Sequence, residues 1–348
     1  LHFYHPLAPN TTFGDFPSAM QNLETYVART RNSSKVNRAG SIHGDYIFTM
    51  EIAKLVGAKG LYGVLAIPPL TYDEDRLDTM LTVIQKGFPL CIASGPIWGS
   101  SSPATIAGSV VSMSAEVMGG LILAQVIHEG HPLMVGSLAF PQNMRTGDAF
   151  FGNVTIGLAK AAFSQVWRRF KIPTYSAEPS IPNSKCMDFQ SGYEKGMLAL
   201  SSAICGDSAI WIHGTVYGEL TAHPLQAIMD DDIAGMVGRF LEGVEVSEET
   251  LAIDLIKQVG SGPDFFLDKK HTRSWWQKEQ FIPAVADTLG LGSWLKTGKK
   301  VTIDLAKEKM ENILATHKVS IALTPSQDEE IERILAEARK FFQKKGLM

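Results

Sequence analysis

Short apolar runs alternate with longer stretches of helical periodicity along most of the chain. Gly60-Leu61-Tyr62-Gly63-Val64-Leu65-Ala66-Ile67 reads as a buried strand stopped by Pro68-Pro69. Phe88 to Ala93, Pro132 to Ser137, Ile172 to Tyr175 and Ala209 to His213 repeat the pattern, the third of these more weakly. Between them the spacing predicts helices over about 73–85, 104–128, 153–170 and 188–204, with further helices from about Asp230 onward. The strands are apolar throughout rather than alternating, so both of their faces are expected to be covered, as in a parallel sheet. A closed barrel and an open doubly wound sheet both satisfy this order, and either puts its chemistry in the loops after the strand ends. For a barrel, the strands beyond these five must come from the weakly marked first sixty residues and from the region after about Glu245.

The stretch from Ile106 to Ile127 is apolar enough to raise the question of a membrane. It contains Ser109, Ser112, Ser114, Glu116 and Gln125 and runs into a Gly/Pro turn, so a helix buried in protein is expected. Beyond about Glu242 the chain turns helical and charged, broken by Pro263, Pro283 and Pro325. Ile256, Val259 and Phe265-Phe266-Leu267 are expected to pack there. The last helix, Pro325 to Lys344, repeats Ile331, Ile334, Leu335, Ala338 and Phe341 at helical spacing. It is expected to dock on the body, a subunit interface being the other use of such a face.

Composition narrows the class. At 348 residues, 45% hydrophobic and 20% charged, the chain can bury a large core and is neither disordered nor fibrous. A formal charge of -4 offers nucleic acid or an anionic membrane no basic surface, so neither is an expected partner. Cys91, Cys186 and Cys205 are too few and scattered for a disulfide framework, and a cytoplasmic location is expected. Leu1-His2-Phe3-Tyr4-His5-Pro6 has neither region of a signal peptide, and without an initiator Met the chain is expected to continue a longer one.

Three loops after strand ends carry candidate chemistry. In Gly95-Pro96-Ile97-Trp98-Gly99-Ser100-Ser101-Ser102-Pro103, clustered glycines can bring backbone amides to a ligand ahead of a helix. Ser102-Pro103 serves equally as a plain helix cap. No dinucleotide fingerprint or P-loop pattern occurs. Asn143 and Arg145 lie beyond the next strand, where an Arg can grip a carboxylate with two parallel donors; a surface loop closed by salt bridges is the plain alternative. Trp211 to Pro224 gathers His213, Tyr217, Glu219 and His223 as an acid–base set, a metal set, or an aromatic wall with a carboxylate. No HExxH accompanies the histidines, which weakens the metal reading, whereas aromatic faces with a Glu suit a quaternary ammonium. Asp230-Asp231-Asp232 reads as the charged first turn of a helix rather than a magnesium site.

Several of these segments, in order, resemble the trimethylamine methyltransferase family. They are Gly95-Pro96 with Ser101 to Gly108, Ala115-Glu116-Val117 with Leu123-Ala124-Gln125, and Met144-Arg145-Thr146-Gly147. Asn183-Ser184-Lys185 with Asp188 and Gln190 to Lys195, then Ile212-His213-Gly214 leading to Asp230-Asp231-Asp232-Ile233, complete the likeness. The resemblance implies an α/β fold, a TIM-type (β/α)8 barrel with additional C-terminal helices. Residues 1–245 would form the main part of the barrel, its N-terminal portion short or absent, and residues 246–348 the remaining barrel elements and a helical C-terminal region.

The resemblance also implies a methyltransferase that moves a methyl group from a quaternary amine to the cobalt of a corrinoid protein. The cobalamin (corrinoid) is carried by that partner, with no cofactor bound permanently here and no metal. The segment carrying pyrrolysine in the founding type corresponds to about Val216 to Thr221, is shorter, and holds only ordinary residues. A glycine betaine-like donor is therefore expected in place of trimethylamine. On this basis cobalt(I) takes the methyl group, the tertiary amine leaves neutral without a base, and the protein supplies orientation and exclusion of water. Glu219, His213 and Tyr217 form the expected catalytic set, with Tyr217 also a ring wall and Glu219 a counter-charge. Trp98, Phe140, Asn143, Arg145 and His223 form the substrate-binding set. The shortened Tyr217 loop and the unusual His43, His213 and His223 depart from the family pattern. A homo-oligomer is expected. The competing class is a small-molecule-binding or differently reacting barrel without corrinoid chemistry.

Overall fold

The computed structural model describes residues 3–4, 17–39, 44–58, 60–218, 221–262, 264–319 and 322–348. The chain opens with β1 (Phe3–Tyr4), α1 (Ser18–Asn32), β2 (Val36–Ala39) and α2 (Tyr46–Leu55). It continues with β3 (Gly60–Ala66), α3 (Glu74–Gln85), β4 (Leu90–Ser94), the short β5 (Ile97–Trp98) and α4 (Ile106–Ile127). Next come β6 (Leu133–Ser137), the short β7 (Phe140–Pro141), α5 (Val154–Arg169), β8 (Thr174–Ser176), a 3-10 turn at Glu178–Ser180 and α6 (Phe189–Ile204). β9 (Ala209–Ile210) and a hairpin of β10 (Thr215–Val216) and β11 (Thr221–Ala222) lead into α7 (Pro224–Glu242). Helices follow: α8 (Glu248–Leu251), α9 (Ile253–Val259), α10 (Lys270–Glu279), α11 (Leu291–Lys296), α12 (Thr302–Thr316) and α13 (Pro325–Lys344).

Seven strands form one sheet in the order β1-β2-β3-β4-β6-β8-β9, and every pair is parallel. Spatial order follows chain order without reversal, so this sheet has no switch point of the doubly wound kind. Helices α3 to α7 each pack on the next, as a single layer must. The register explains which side chains meet them. Val64, Ile92, Val135 and Thr174 stand in one row, the first three in the large core shared with the helices. Two residues on, Ala66, Ser94, Ser137, Ser176 and Ile210 form the last row on the same face.

The other face holds Cys91, Ala93, Tyr175 and Ala177, flanked by the half-buried Leu61, Leu65, Met134, Ala209 and Trp211. Gly136 has no side chain because the Tyr175 ring lies across it, and Trp211 stacks on that ring at 4.6 Å. Both faces were expected to be covered; the helical layer covers one, and the second buries only its centre. The four clear strands and the weaker one at Ile172 to Tyr175 each overlap an observed strand, β9 ending three residues earlier than expected, and the first sixty residues add β1 and β2. Among the described residues no strand follows Ala222, so 246–348, expected to hold remaining barrel elements, contributes helices alone.

Of two expectations about helices, one is met on one face of the helix only and the other in full. α4 is long and apolar enough to cross a membrane by length and composition, yet it buries Ser109, Val110, Met113, Glu116, Val117, Gly120 and Ala124 against the sheet and its neighbours. α13 docks on α1 and α2, with Ile331, Ile334, Leu335, Ala338 and Phe342 buried and Phe341 set edge-on to Phe48. A third is corrected. Val259 is buried, but Ile256, Phe265, Phe266 and Leu267 are exposed, because that segment lacks the spacing that would turn them to one side.

Candidate active site at the strand ends

The last row of the sheet is where the chain spends its buried charge. Ser94 donates to the Glu116 carboxylate, whose other oxygen accepts the Leu70 amide at 2.9 Å, so α4 fastens the loop after β3 to the end of β4. Ser137 donates to Glu178 Oε1 at 2.5 Å and Ser176 to Oε2 at 2.7 Å, which ties the ends of β6 and β8 together. Burial pushes the Glu178 carboxyl above its ordinary 4.5, against the pull of Lys160 and the two hydroxyls. Lys160 donates to the Tyr175 carbonyl at 2.5 Å and lies 3.4 Å from Asp207, which also accepts from Ser164 and Thr174. Local sequence does not announce these partners, since each pair lies on different elements.

Above this layer, β5 and β7 pair so that Ile97 meets Phe140 and Trp98 meets Pro141. Both aromatic residues expected here are buried, Trp98 at 4% exposure and Phe140 at 5%. The Trp98 indole N–H has no hydrogen-bond partner among the described residues. Phe140 meets Phe151 edge-on at 4.9 Å. The Gly/Ser loop after Trp98 turns its amides inward: those of Ser100, Ser101 and Ser102 reach the Ile97 carbonyl. Thr105, rather than Ser102, caps α4 by accepting from the Gly108 amide.

Asn143 is used by its own turn. Its Oδ1 accepts the Arg145 amide at 3.1 Å, and its carbonyl accepts the Gly147 amide at 2.8 Å. This turn leaves the Arg145 side chain exposed, and among the described residues no carboxylate pairs with it, so the loop is not closed by a salt bridge.

The third corner is assembled from α6, α7 and the hairpin. Glu194 accepts the Asn183 amide at 2.7 Å and the Ser184 amide at 3.2 Å, while Asp188 accepts Ser184 Oγ at 2.7 Å and caps α6 through the Ser191 amide. Those donors hold Asp188 below the usual carboxylate range. Lys195 and Asp230 form a fully buried pair at 2.6 Å, and the same Asp230 oxygen accepts the Gly214 amide. Asp230 therefore lies inside α7, not in its first turn as expected. His223 occupies the cap, its Nδ1 accepting the Leu225 amide at 3.2 Å, with Pro224 at the first position. That role uses the nitrogen facing the helix and fixes the ring at the start of α7.

His213 is half-buried in the loop that Asp230 pins through Gly214. Tyr217 (φ 46°) and Gly218 (φ 60°) turn left-handed, and their amides donate to the Ser184 and Pro182 carbonyls at 2.8 and 2.9 Å. Gly218 leaves room for the Phe151 ring, which links the hairpin to Phe140. One face of the Tyr217 ring is taken: the Lys185 ammonium sits 4.6 Å from its centroid and donates to the Asn183 carbonyl at 2.8 Å. Glu219, the expected counter-charge, and His43 lie outside the described residues. Among the described residues no three His, Cys, Asp or Glu side chains come together as a metal site.

The structure thus links Phe140 to the Tyr217 hairpin through Phe151, with Trp98 on the neighbouring short strand, while Asn143 and His223 are bonded within their own turn and cap. A separate apolar cleft of about 740 Å³ lies on the helical side between the start of α5, α6 and α7, lined by Phe150, Tyr193, Met197, Met236 and Phe240. Glu194 borders it and also anchors Asn183 and Ser184.

Comparison with known proteins gives a consistent picture. The family model described as Trimethylamine methyltransferase (MTTB) matches residues 59–341. A glycine betaine methyltransferase of Desulfitobacterium hafniense (strain Y51) is 30% identical over 338 residues, 94% of this chain and 70% of that protein. The trimethylamine methyltransferase MttB of Methanosarcina barkeri is 32% identical over 264 residues, 75% of this chain and 53% of that protein. The chain thus spans about half the length of this archaeal relative.

Proposed function

Because the chain belongs to the trimethylamine methyltransferase (MTTB) family, we propose that it is a methyltransferase taking a methyl group from a quaternary amine of the glycine betaine class. The observation that carries the proposal is the 30% identity over nearly the whole chain to a glycine betaine methyltransferase, with the Phe140–Phe151 pair and the Tyr217 hairpin gathered at the strand ends. Aromatic faces hold a quaternary ammonium without a hydrogen bond. We propose further that the sheet belongs to a TIM-type barrel. Its unreversed strand order, single helical layer and second face of small and aromatic residues support that architecture.

The methyl acceptor in this proposal is a corrinoid carried by a partner protein, which when bound supplies a nucleophilic cobalt. The residues above the aromatic corner suit its approach: Met144 and Arg145 are exposed at a loop tip, and the Met144 sulfur lies over Gly99 beside Trp98. This chain's own task is to orient the donor and keep water away. The nitrogen leaves neutral, so no side chain has to move a proton. Copies are proposed to associate, since Val111, Ile122 and Val126 on α4 and Val154 and Leu158 on α5 are exposed and apolar. A cytoplasmic location belongs to the same proposal.

Calorimetric titration with glycine betaine, proline betaine, carnitine and trimethylamine is the test. One quaternary amine binding while trimethylamine is silent, followed by demethylation with a reduced corrinoid protein, is the expected result. No heat with any of them favours the second reading, a barrel that takes another small ligand. The occupied face of Tyr217 is the observation on that side.

A further inference from the structure

We infer that Lys185 binds the carboxylate of the methyl donor and gives the site its preference for zwitterionic betaines over ammonium compounds without an acid group. The inference rests on the proposed function and assigns a residue that the aromatic corner alone does not supply.

Lys185 is held in place on both sides. Its ammonium donates to the Asn183 carbonyl at 2.8 Å and faces the Tyr217 ring at 4.6 Å. The backbone beneath is fixed in turn: Glu194 takes the Asn183 and Ser184 amides, and the Tyr217 and Gly218 amides bond back to Ser184 and Pro182. A lysine normally gives up much side-chain freedom to bind an anion; here part of that ordering is already in place. Yet no carboxylate pairs with it among the described residues, and the residue is exposed. The buried lysines nearby, Lys160 and Lys195, each have an aspartate.

The occupied ring face sets the polarity of this corner. A second cation on that side of Tyr217 would meet the ammonium at close range and be repelled. An anion would meet an ordered donor. One residue on from Tyr217, Gly218 lies against Phe151, so the positive surface and an aromatic side chain border the same turn. Glycine betaine carries its carboxylate one methylene from the quaternary nitrogen, so it offers one end to a cation and the other to an aromatic ring. Choline carries the same cation and no acid.

The test is calorimetry on the full chain with glycine betaine and with choline, for the wild type, Lys185→Gln, Lys185→Arg and Arg145→Gln. Lys185→Gln is expected to weaken glycine betaine roughly tenfold or more, the scale of a hydrogen bond to a charged group. Choline affinity should stay the same or rise, Lys185→Arg should retain most of the betaine affinity, and Tm should be unchanged. Betaine affinity unchanged in Lys185→Gln, with wild-type binding intact, overturns the inference and leaves the proposed function standing. An equal loss for betaine and choline with a lower Tm marks Lys185 as a staple for the hairpin and overturns it too. If Arg145→Gln alone loses betaine, the carboxylate belongs to Arg145. A wild type that binds neither ligand removes the proposed function, and the inference with it.

Discussion

The layer beneath the strand ends and the rim above them both contain lysines and carboxylates, used in opposite ways. In the layer, each charge is enclosed and matched: Lys195 with Asp230, Lys160 with Asp207, Glu116 with Ser94 and the Leu70 amide, Glu178 with two serines. On the rim, Arg145 and Lys185 are exposed, and Lys185 is steadied by a carbonyl and a ring. Many residues that carry the family resemblance, including Glu116, Glu194, Lys195 and Asp230, belong to the layer. They place loops. Donor recognition then falls to what those loops present, and substitutions in the two regions should fail differently.

The sharpest way to break the contrast is to unbalance the buried pair. Lys195→Met leaves Asp230 charged and enclosed, and the loss expected is about 3–5 kcal/mol of folding stability, measured by urea unfolding. Lys195→Met combined with Asp230→Asn should recover part of it, since the orphaned charge is gone while the amide still accepts from Gly214. A single-variant loss under about 1 kcal/mol would mean that the pair is solvated and the layer is not what holds the loops.

Glu178 separates the regions by pH. Its carboxyl titrates higher in the folded protein than the ordinary 4.5, so the folded state holds a proton that the unfolded chain releases. Stability from this group is present at acid pH and declines as pH rises from 4.5 through the raised folded value. Glu178→Gln keeps the neutral shape and should flatten that part of the stability–pH curve, with a gain at neutral pH on the order of 1 kcal/mol. An unchanged slope would show that the serines and Lys160 keep the carboxylate fully charged. Next in size is Gly218→Ala, which adds a methyl against Phe151 at a left-handed position; about 1–2 kcal/mol and a weaker betaine site are expected, read by Tm and calorimetry together.

How far the sequence anticipated this molecule follows from where each signal lives. Continuous apolar runs gave away β3, β4 and β6, because a strand covered by helices has no need to alternate. β9 stopped at Ile210 although Trp211 to His213 looked like its continuation; Trp211 instead stacks on Tyr175 across the sheet. Asp230-Asp231-Asp232 looked like a first turn because acidic triplets often are, but the partner that buries Asp230 is Lys195, on another helix. His223 was singled out for its chemistry, and its Nδ1 also caps α7 ahead of Pro224, a role its place before a helix-starting proline could have announced. Tyr217 was legible as a strand-end aromatic, whereas its occupant comes from a loop thirty residues earlier and has no local trace. Trp98 and Phe140 were legible as aromatics past strand ends, and both are buried there.

The smallest expected effect sits on the rim. Arg145→Ala removes a guanidinium whose backbone amide, not its side chain, closes the Asn143 turn. Folding stability should therefore change by less than about 0.5 kcal/mol, as for other unpaired surface positions. Glycine betaine affinity should hold as well if Lys185 is the carboxylate site. What should change is the rate of demethylation with a corrinoid partner, and only at low ionic strength, because a rim charge acts on encounter more than on the docked complex. A salt-independent loss would place Arg145 in the donor site itself and move the boundary between framework and recognition one loop outward.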